Sequence, residues 1–298
     1  MRVEGSTTRR RLGQYAFQVR MSHRQSRRRS ESATAEAWSI TRHLLRYSRF
    51  LIGSHGRTRR PIEPPWTGVL LSYLRPYNIE PLARAMLQCR GCKRVIISNN
   101  NPEVRLDTFV RLTDPRVSII KQSTRQVAGI RLTIANAYPS PRYLMVDDDI
   151  LLRPSQMATL ITRLASDPSR PHGVFGEART ADPCRDYPYL LDTAGDRTVD
   201  HLTNVYAFTS AQLDQSLALL RRLGLDARSL ANGEDILLSL SGDGLPRVHD
   251  VGRVLRCASN ADTEVATCKV RSAFFAERMA IIDALGRIGP LQSITTDA

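Results

Sequence analysis

No apolar run in the 298-residue chain reaches the roughly 18 residues needed to cross a bilayer, which argues against a membrane-spanning protein. Cysteine is scarce and odd in number, at positions 89, 92, 184, 257 and 268, and no secretory signal precedes it. Such a set fits a reducing, cytoplasmic setting. Cys89-Arg90-Gly91-Cys92 has the spacing of half a zinc site, but the second pair is missing. The strand–helix setting of a thioredoxin-like pair is missing too, so the segment reads as a helix end and a turn at Gly91. No Gly-rich phosphate loop stands at the amino end, which removes the signature of many nucleotidyltransferases. Internal repeats are absent. Trp38 and Trp66 lie outside every motif and carry no assigned role.

Acidic residues are nearly missing from the first part of the chain. Residues 1–60 hold 15 Arg, no Lys and 3 acids, whereas the other 238 residues hold 28 basic and 26 acidic side chains. The net charge of +14 therefore belongs to a leader and not to the body, which argues against a specific nucleic-acid partner. Residues 1–60 are expected to be a basic, disordered leader, and residues 61–298 the folded domain. An Arg-rich, acid-poor leader resembles an organelle transit peptide, but a solvated tail or an over-extended start, with Met21 as a later start, fits better. Within it, Ile40 to Ile52 places Leu44, Leu45 and Phe50 among Arg42, Arg46 and Arg49. That is a short basic amphipathic helix suited to anionic lipid or a partner, and so to peripheral membrane contact.

From Trp66 the pattern changes to short apolar runs alternating with helical periods. Val69–Leu71, a short apolar run after Gly68, and Arg94–Ser98, β-branched in Val95, Ile96 and Ile97, read as strands, as do Val117–Ile120 and Tyr143–Val146. Between them Glu80–Gln88 and Gly129–Ala137 read as helices, and Pro154 opens another. Further on, Gly173–Gly176 and Val205–Phe208 are expected strands. Ser210–Leu223 (capped by Ser210), Glu234–Leu240 and Phe274–Leu285 are expected helices. The alternation predicts an α/β fold with a mixed, mostly parallel central sheet flanked by helices.

The fourth strand runs directly into Asp147-Asp148-Asp149. Three adjacent carboxylates at the carboxyl end of a buried strand repel one another, and a hard divalent cation, Mn²⁺ or Mg²⁺, relieves that repulsion while holding a substrate's phosphates. Leu144-Met145-Val146-Asp147-Asp148-Asp149-Ile150 resembles the Asp-x-Asp segment of GT-A glycosyltransferases, and in particular that of the exostosin-type enzymes, glycosyltransferase family 64. The resemblance runs from about Thr67 to Leu291. Ser72-Tyr73-Leu74-Arg75-Pro76 is similar to that family's opening motif, and Asn99 to Pro102 to its Asn-Asn turn. Arg131 lies 16 residues before Asp147, where the family has a donor-binding Arg. Asn232-Gly233-Glu234-Asp235-Ile236 is similar to its Asn-Cys-Glu-Asp-Ile. Phe275 to Ile282, followed by Gly289-Pro290-Leu291, is similar to its tail. Two family cysteines, which the pattern implies to be paired, are Gly233 and Ile281 here; their joint loss fits a reduced relative and removes the support for the animal family's glycosaminoglycan acceptor.

The resemblance implies a GT-A fold, a UDP-sugar donor and transfer of a hexose or N-acetylhexosamine with retention. The acceptor is an unidentified glycan, lipid or protein. It implies Asp149 as the metal ligand. Tyr73, Arg75, Asn100, Asn101, Arg131, Asp147 and Asp148 would hold the donor. Asp235 would lie beneath the sugar, and Arg278 would add charge to the departing diphosphate. His249 beside Asp250, after the turn Ser241 to Gly244, reads better as a loop or core histidine than as a metal ligand. Asp182, Arg185 and Asp186 lie in an irregular stretch placed to close over an acceptor. Two other readings stand beside this one. In an inverting, family-2-type transferase Asp235 would be the general base. In a basic-tailed adaptor for nucleic acid or membrane the binding would lie in residues 1–60.

Overall fold

A computed structural model describes residues 9–20, 33–53, 64–180, 186–192, 195–261 and 265–288. The strands are β1 (Trp66–Ser72), β2 (Cys92–Asn99), β3 (Val117–Lys121), β4 (Arg142–Val146), β5 (Ile150–Leu151), β6 (His172–Arg179), β7 (Tyr189–Asp192), β8 (Arg197–Thr198), β9 (His201–Thr209), β10 (Arg247–Val248) and β11 (Leu255–Arg256). The helices are α1 (9–20), α2 (Ala33–Gly53), α3 (Pro76–Gln88), α4 (Ile130–Ala137), α5 (Pro154–Ser166), α6 (Ser210–Arg222), α7 (Glu234–Ser239), α8 (Thr267–Val270) and α9 (Phe274–Ile288).

One sheet runs in the order β3-β2-β1-β4-β9-β6-β10-β8, with β7 on β6, and β5 pairs with β11 in a separate ribbon. The first four strands are parallel; β9 then pairs antiparallel with both β4 and β6. The chain leaves β1 for β2 and β3 on one side and returns to β4 on the other. The carboxyl ends of β1 and β4 thus flank a topological switch point, where open α/β sheets leave a crevice.

Side chains alternate between the two faces, and both are covered. Leu70, Val95, Ile97, Leu144 and Val146 pack with α3 and α5 in one core. Val69, Leu71, Ile96, Tyr143 and Met145 pack with α4, α6, α7 and α9 in the other. Helix α3 begins four residues earlier than the periodicity predicts, because Pro76 occupies its first turn, where no backbone donor is needed. The cap of α6 is Thr209 and not Ser210: its hydroxyl accepts from the Gln212 backbone, and Gln212 reaches back in a capping box. Cys89 and Cys92 are both thiols, and the turn between them is made by Gly91 at φ 95°.

The amino-terminal part departs from the expected disordered leader in its two described helices. Tyr15 and Val19 of α1, and Tyr47, Phe50 and Leu51 of α2, are buried in the first core. The rings of Tyr15 and Tyr47 stack 4.0 Å apart, and Tyr77 of α3 meets Tyr15 edge-on. Arg11 pairs with Glu80, a carboxylate that is 1% exposed on α3 and also takes Arg84. The physical reason is amphipathicity: most of the arginines of these two helices lie on the outer faces, with Arg11 the buried exception, while a sparse apolar set lies inward. Arg27–Arg29 and Arg57–Arg60 lie outside the described residues.

Candidate active site

The switch point brings the two leading motifs together. Past β1 the chain turns through Tyr73–Arg75 into α3; past β4 it enters Asp147–Asp149. Arg75, 7% exposed, donates from Nη1 to Asp148 Oδ1 at 2.9 Å, and the same nitrogen lies 3.5 Å from Asp149 Oδ2. Its other nitrogens donate to Ser259, at 3.0 Å to the hydroxyl and 2.9 Å to the carbonyl. Burial opposes the charge on Arg75, but Asp148 and Asp149 outweigh it and raise its pKa. Tyr73 donates its backbone N–H to Asp148 Oδ2 at 3.4 Å, and Asn78 Nδ2 donates to the Asp148 carbonyl at 2.7 Å. Asp148 is therefore held by its side chain from the β1–α3 turn and by its backbone from α3.

Asp149 is the least satisfied member. Asn260 Nδ2 donates to its Oδ2 at 3.0 Å, while Oδ1 is buried without a hydrogen-bond partner. Burial lifts its pKa to about 6; Arg75 works against that rise, and Asp147 and Asp148 add to it. The β5–β11 ribbon delivers this loop: Cys257 N–H donates to the Asp149 carbonyl at 2.8 Å, and Ser259 and Asn260 follow. A buried acceptor with an open lone pair fits a cation. Among the described residues, however, no group of three or more His, Cys, Asp or Glu side chains is placed to hold a metal unaided. The fit is thus to an ion that takes one protein carboxylate and completes its shell from phosphates and water, as Mg²⁺ commonly does.

A chain of alternating charge leads away from this point. Asp147 accepts from Arg131 Nη2 at 2.9 Å and from Asn204 Nδ2 at 3.0 Å. Arg131, buried on α4, also donates to the Tyr206 hydroxyl at 2.5 Å, and its Nε lies 3.3 Å from Glu234 Oε1. Burial raises the Glu234 pKa to about 7, with Arg131 opposing and Asp235 and Asp147 adding to the rise. Asn204 has φ 60°, the one described non-glycine residue with positive φ, at an irregularity in the β6–β9 pairing. A non-glycine residue held there at some cost of strain is a feature that active sites share.

Beyond Glu234, Asp235 is the second residue of helix α7. Arg278 Nη1 donates to Asp235 Oδ1 and Oδ2 at 2.9 and 3.0 Å. Its Nη2 donates to Glu177 at 2.8 Å, and its Nε to the Tyr187 hydroxyl at 2.8 Å. Gly233, ahead of this pair, has φ 93°, and a Cβ added there would collide with Ile281 Cδ1. The whole chain thus links six carboxylates (Asp147, Asp148, Asp149, Glu234, Asp235, Glu177) through three guanidinium groups (Arg75, Arg131, Arg278). If all are ionised, negative charge is in excess, and one divalent cation offsets most of it.

Other expected residues sit differently. Asn100 and Asn101 lie at the same sheet edge, joined to β1 by Asn100 N–H donating to the Ser72 carbonyl at 2.8 Å. Their side-chain oxygens accept from Ser98 and from the Glu103 backbone, so they shape the turn itself. His249 packs ring to ring on His172, with 2.7 Å between ring nitrogens, and faces Asp196 at 3.5 Å. Asp186 is exposed, while Asp182, Arg185 and the Gly289–Leu291 tail lie outside the described residues. The sequence reading missed Asn204, Ser259, Asn260, Glu177 and Tyr187. Isolated polar residues in irregular stretches give no local signal.

No protein-family model matches the chain, and no curated protein matches it in sequence. Among solved structures, GalNAc-T7 with UDP, GalNAc and Mn²⁺ aligns at TM-score 0.50 and 10% identity, covering 74% of this chain and 47% of that one. This chain therefore spans about half the length of that structure. A CMP:2-keto-3-deoxy-manno-octonic acid synthetase complexed with CTP aligns at TM-score 0.37 and 13% identity over 52% of this chain and 78% of that one, too loosely to carry an argument. The first likeness bears on the fold. The α/β architecture is of the GT-A type, as the strand–helix alternation and the Asp-x-Asp resemblance lead one to expect.

Proposed function

We propose that this protein is a divalent-metal-dependent glycosyltransferase of exostosin type, moving a hexose or N-acetylhexosamine from a UDP-sugar to a glycan, lipid or protein acceptor with retention, in a cytoplasmic setting. The observation that carries the reading is the Asp149 carboxylate. It is buried, has an open oxygen, and sits at the β1–β4 switch point beside Asp148 and Arg75. The contact between Gly233 and Ile281 supports the narrower family. Those are the two positions where the resemblance implies that family's paired cysteines, and here glycine and isoleucine lie side by side.

A Mn²⁺ or Mg²⁺ ion on Asp149 would bridge the donor's phosphates and stabilise the leaving group. Arg75 and Arg131 have their nitrogens on protein partners, so to seat the diphosphate they would exchange carboxylate or Ser259 contacts for phosphate oxygens, onto which a planar guanidinium forks. Asp147 and Asp148 would accept hydrogen bonds from ribose and sugar hydroxyls, and Tyr73, Asn100 and Asn101 would border the nucleoside. Asp235 would face the sugar ring, where positive charge develops at the anomeric carbon. Arg278 has every nitrogen on a protein partner, so it would act by positioning Asp235. The same contacts favour this reading over an inverting one, because Arg278 occupies both oxygens of the carboxylate that would serve as base.

The test is a thermal shift with UDP and Mn²⁺, followed by a donor screen that reads released UDP. A stabilised fold and UDP release from one hexose or N-acetylhexosamine donor are expected. No shift with UDP and Mn²⁺, and no release from any UDP-sugar, would remove the proposal.

A further inference from the structure

Helix α2 carries an outer face that the core does not use. Trp38, Leu45 and Ile52 are 66%, 49% and 73% exposed. They are spaced by seven residues, two helical turns, so they form one stripe about 21 Å long. Arg42 and Arg49, both exposed, fall four residues after Trp38 and Leu45 on the same stripe. The opposite face, Tyr47, Phe50 and Leu51, is buried in the core. The helix is therefore amphipathic in an unusual sense: one side serves the fold, and the other alternates bulky apolar groups with cations.

The charge of this face is unbalanced. Among the described residues no ion pair engages Arg42, Arg46 or Arg49. Arg253, from the loop before β11, and Arg42 both lie close enough to Arg46 to oppose its charge. Exposed Trp, Leu and Ile among uncompensated arginines match the boundary of an anionic bilayer, where apolar side chains enter the acyl edge and guanidinium groups meet phosphate. Nucleic acid would use the arginines and leave Leu45 and Ile52 in water. No described helix is long and apolar enough to cross a membrane, so α2 would lie in the interface plane.

We infer that the Trp38–Ile52 face of α2 docks the protein on anionic lipid surfaces. This differs from the face that the sequence pattern singles out: Phe50 points into the core, and Trp38 and Ile52 take its place toward lipid. The inference stands apart from the glycosyltransferase reading and is tested without a sugar donor.

The full-length chain has two tryptophans, and Trp66 is fully buried, so a change in emission on binding reports Trp38. Vesicles of phosphatidylcholine with a minority of phosphatidylglycerol should shift the emission to the blue and sediment the protein, and pure phosphatidylcholine should do neither. High salt should weaken the binding. Arg42→Gln and Arg49→Gln should each weaken partitioning about fivefold. Leu45→Ser with Ile52→Ser should weaken it further with an unchanged melting temperature, because both positions are exposed. No blue shift of the wild-type chain on anionic vesicles would overturn the inference. So would tight binding to duplex DNA without vesicle binding, which would assign the arginines to nucleic acid.

Discussion

Arg278 grips Asp235 through a single nitrogen, Nη1, which donates to both carboxylate oxygens across 43 residues of sequence. The guanidinium is 2% exposed and also holds Glu177 and Tyr187. Its removal strands two carboxylates, and breaking a buried pair costs about 3–5 kcal/mol. Arg278→Ala should therefore lower the melting temperature as well as turnover. Asp235→Asn keeps the shape, so it should cut turnover roughly 10²-fold while donor affinity and stability change much less. Equal loss of donor binding and turnover in Asp235→Asn would deny it a role in the reacting state.

Asp149→Asn should leave the unliganded fold intact, because it removes a buried charge with an unpartnered oxygen. It should abolish Mn²⁺-dependent turnover and the stabilisation by UDP with Mn²⁺. Calorimetry with UDP, with and without Mn²⁺, checks this; undiminished metal-dependent binding in the variant would place the ion elsewhere.

Two buried histidines make stability depend on pH. Burial lowers the pKa of both His172 and His201 to about 4, below the unfolded value of about 6.5. Between those values the unfolded chain binds more protons than the folded one. Their contribution is complete above pH 6.5 and is lost as pH falls toward 4, on the order of 1–3 kcal/mol for each. Chemical denaturation from pH 7 to 4 should show this decline, and His201→Gln should flatten it. An unchanged slope in the variant would assign the decline to other groups.

The amino-terminal helices should be needed for stability. Arg11→Ala leaves Glu80 with Arg84 as its remaining paired side chain, a loss on the order of 1–3 kcal/mol. Deleting residues 1–60 also removes the Tyr15–Tyr47 stack and bares the side of Tyr77. The truncated chain should melt lower and aggregate more readily. A midpoint equal to that of the intact chain would show that α1 and α2 add nothing to the domain.

What sequence alone determined about this protein is what contiguous residues encode. Val69–Leu71 and Tyr143–Val146 announce strands as short continuous apolar runs, and Val95–Ile97 by β-branching, because both signals act over a few residues. Asp147–Asp149 announce a charged site because three carboxylates in a row repel whatever the surroundings. Tertiary structure alone decided the partners. Asp149 meets Asn260 across 111 residues, Arg75 meets Ser259 across 184, and Arg278 meets Glu177 across 101. A buried charge must find its counter-charge wherever the chain returns, and no local period records that address. The amino-terminal helices show the same limit: their composition is set by arginines in solvent, while a few residues such as Tyr15, Val19 and Tyr47 decide that they belong to the core, because burial of a sparse apolar face outweighs the average character of the segment.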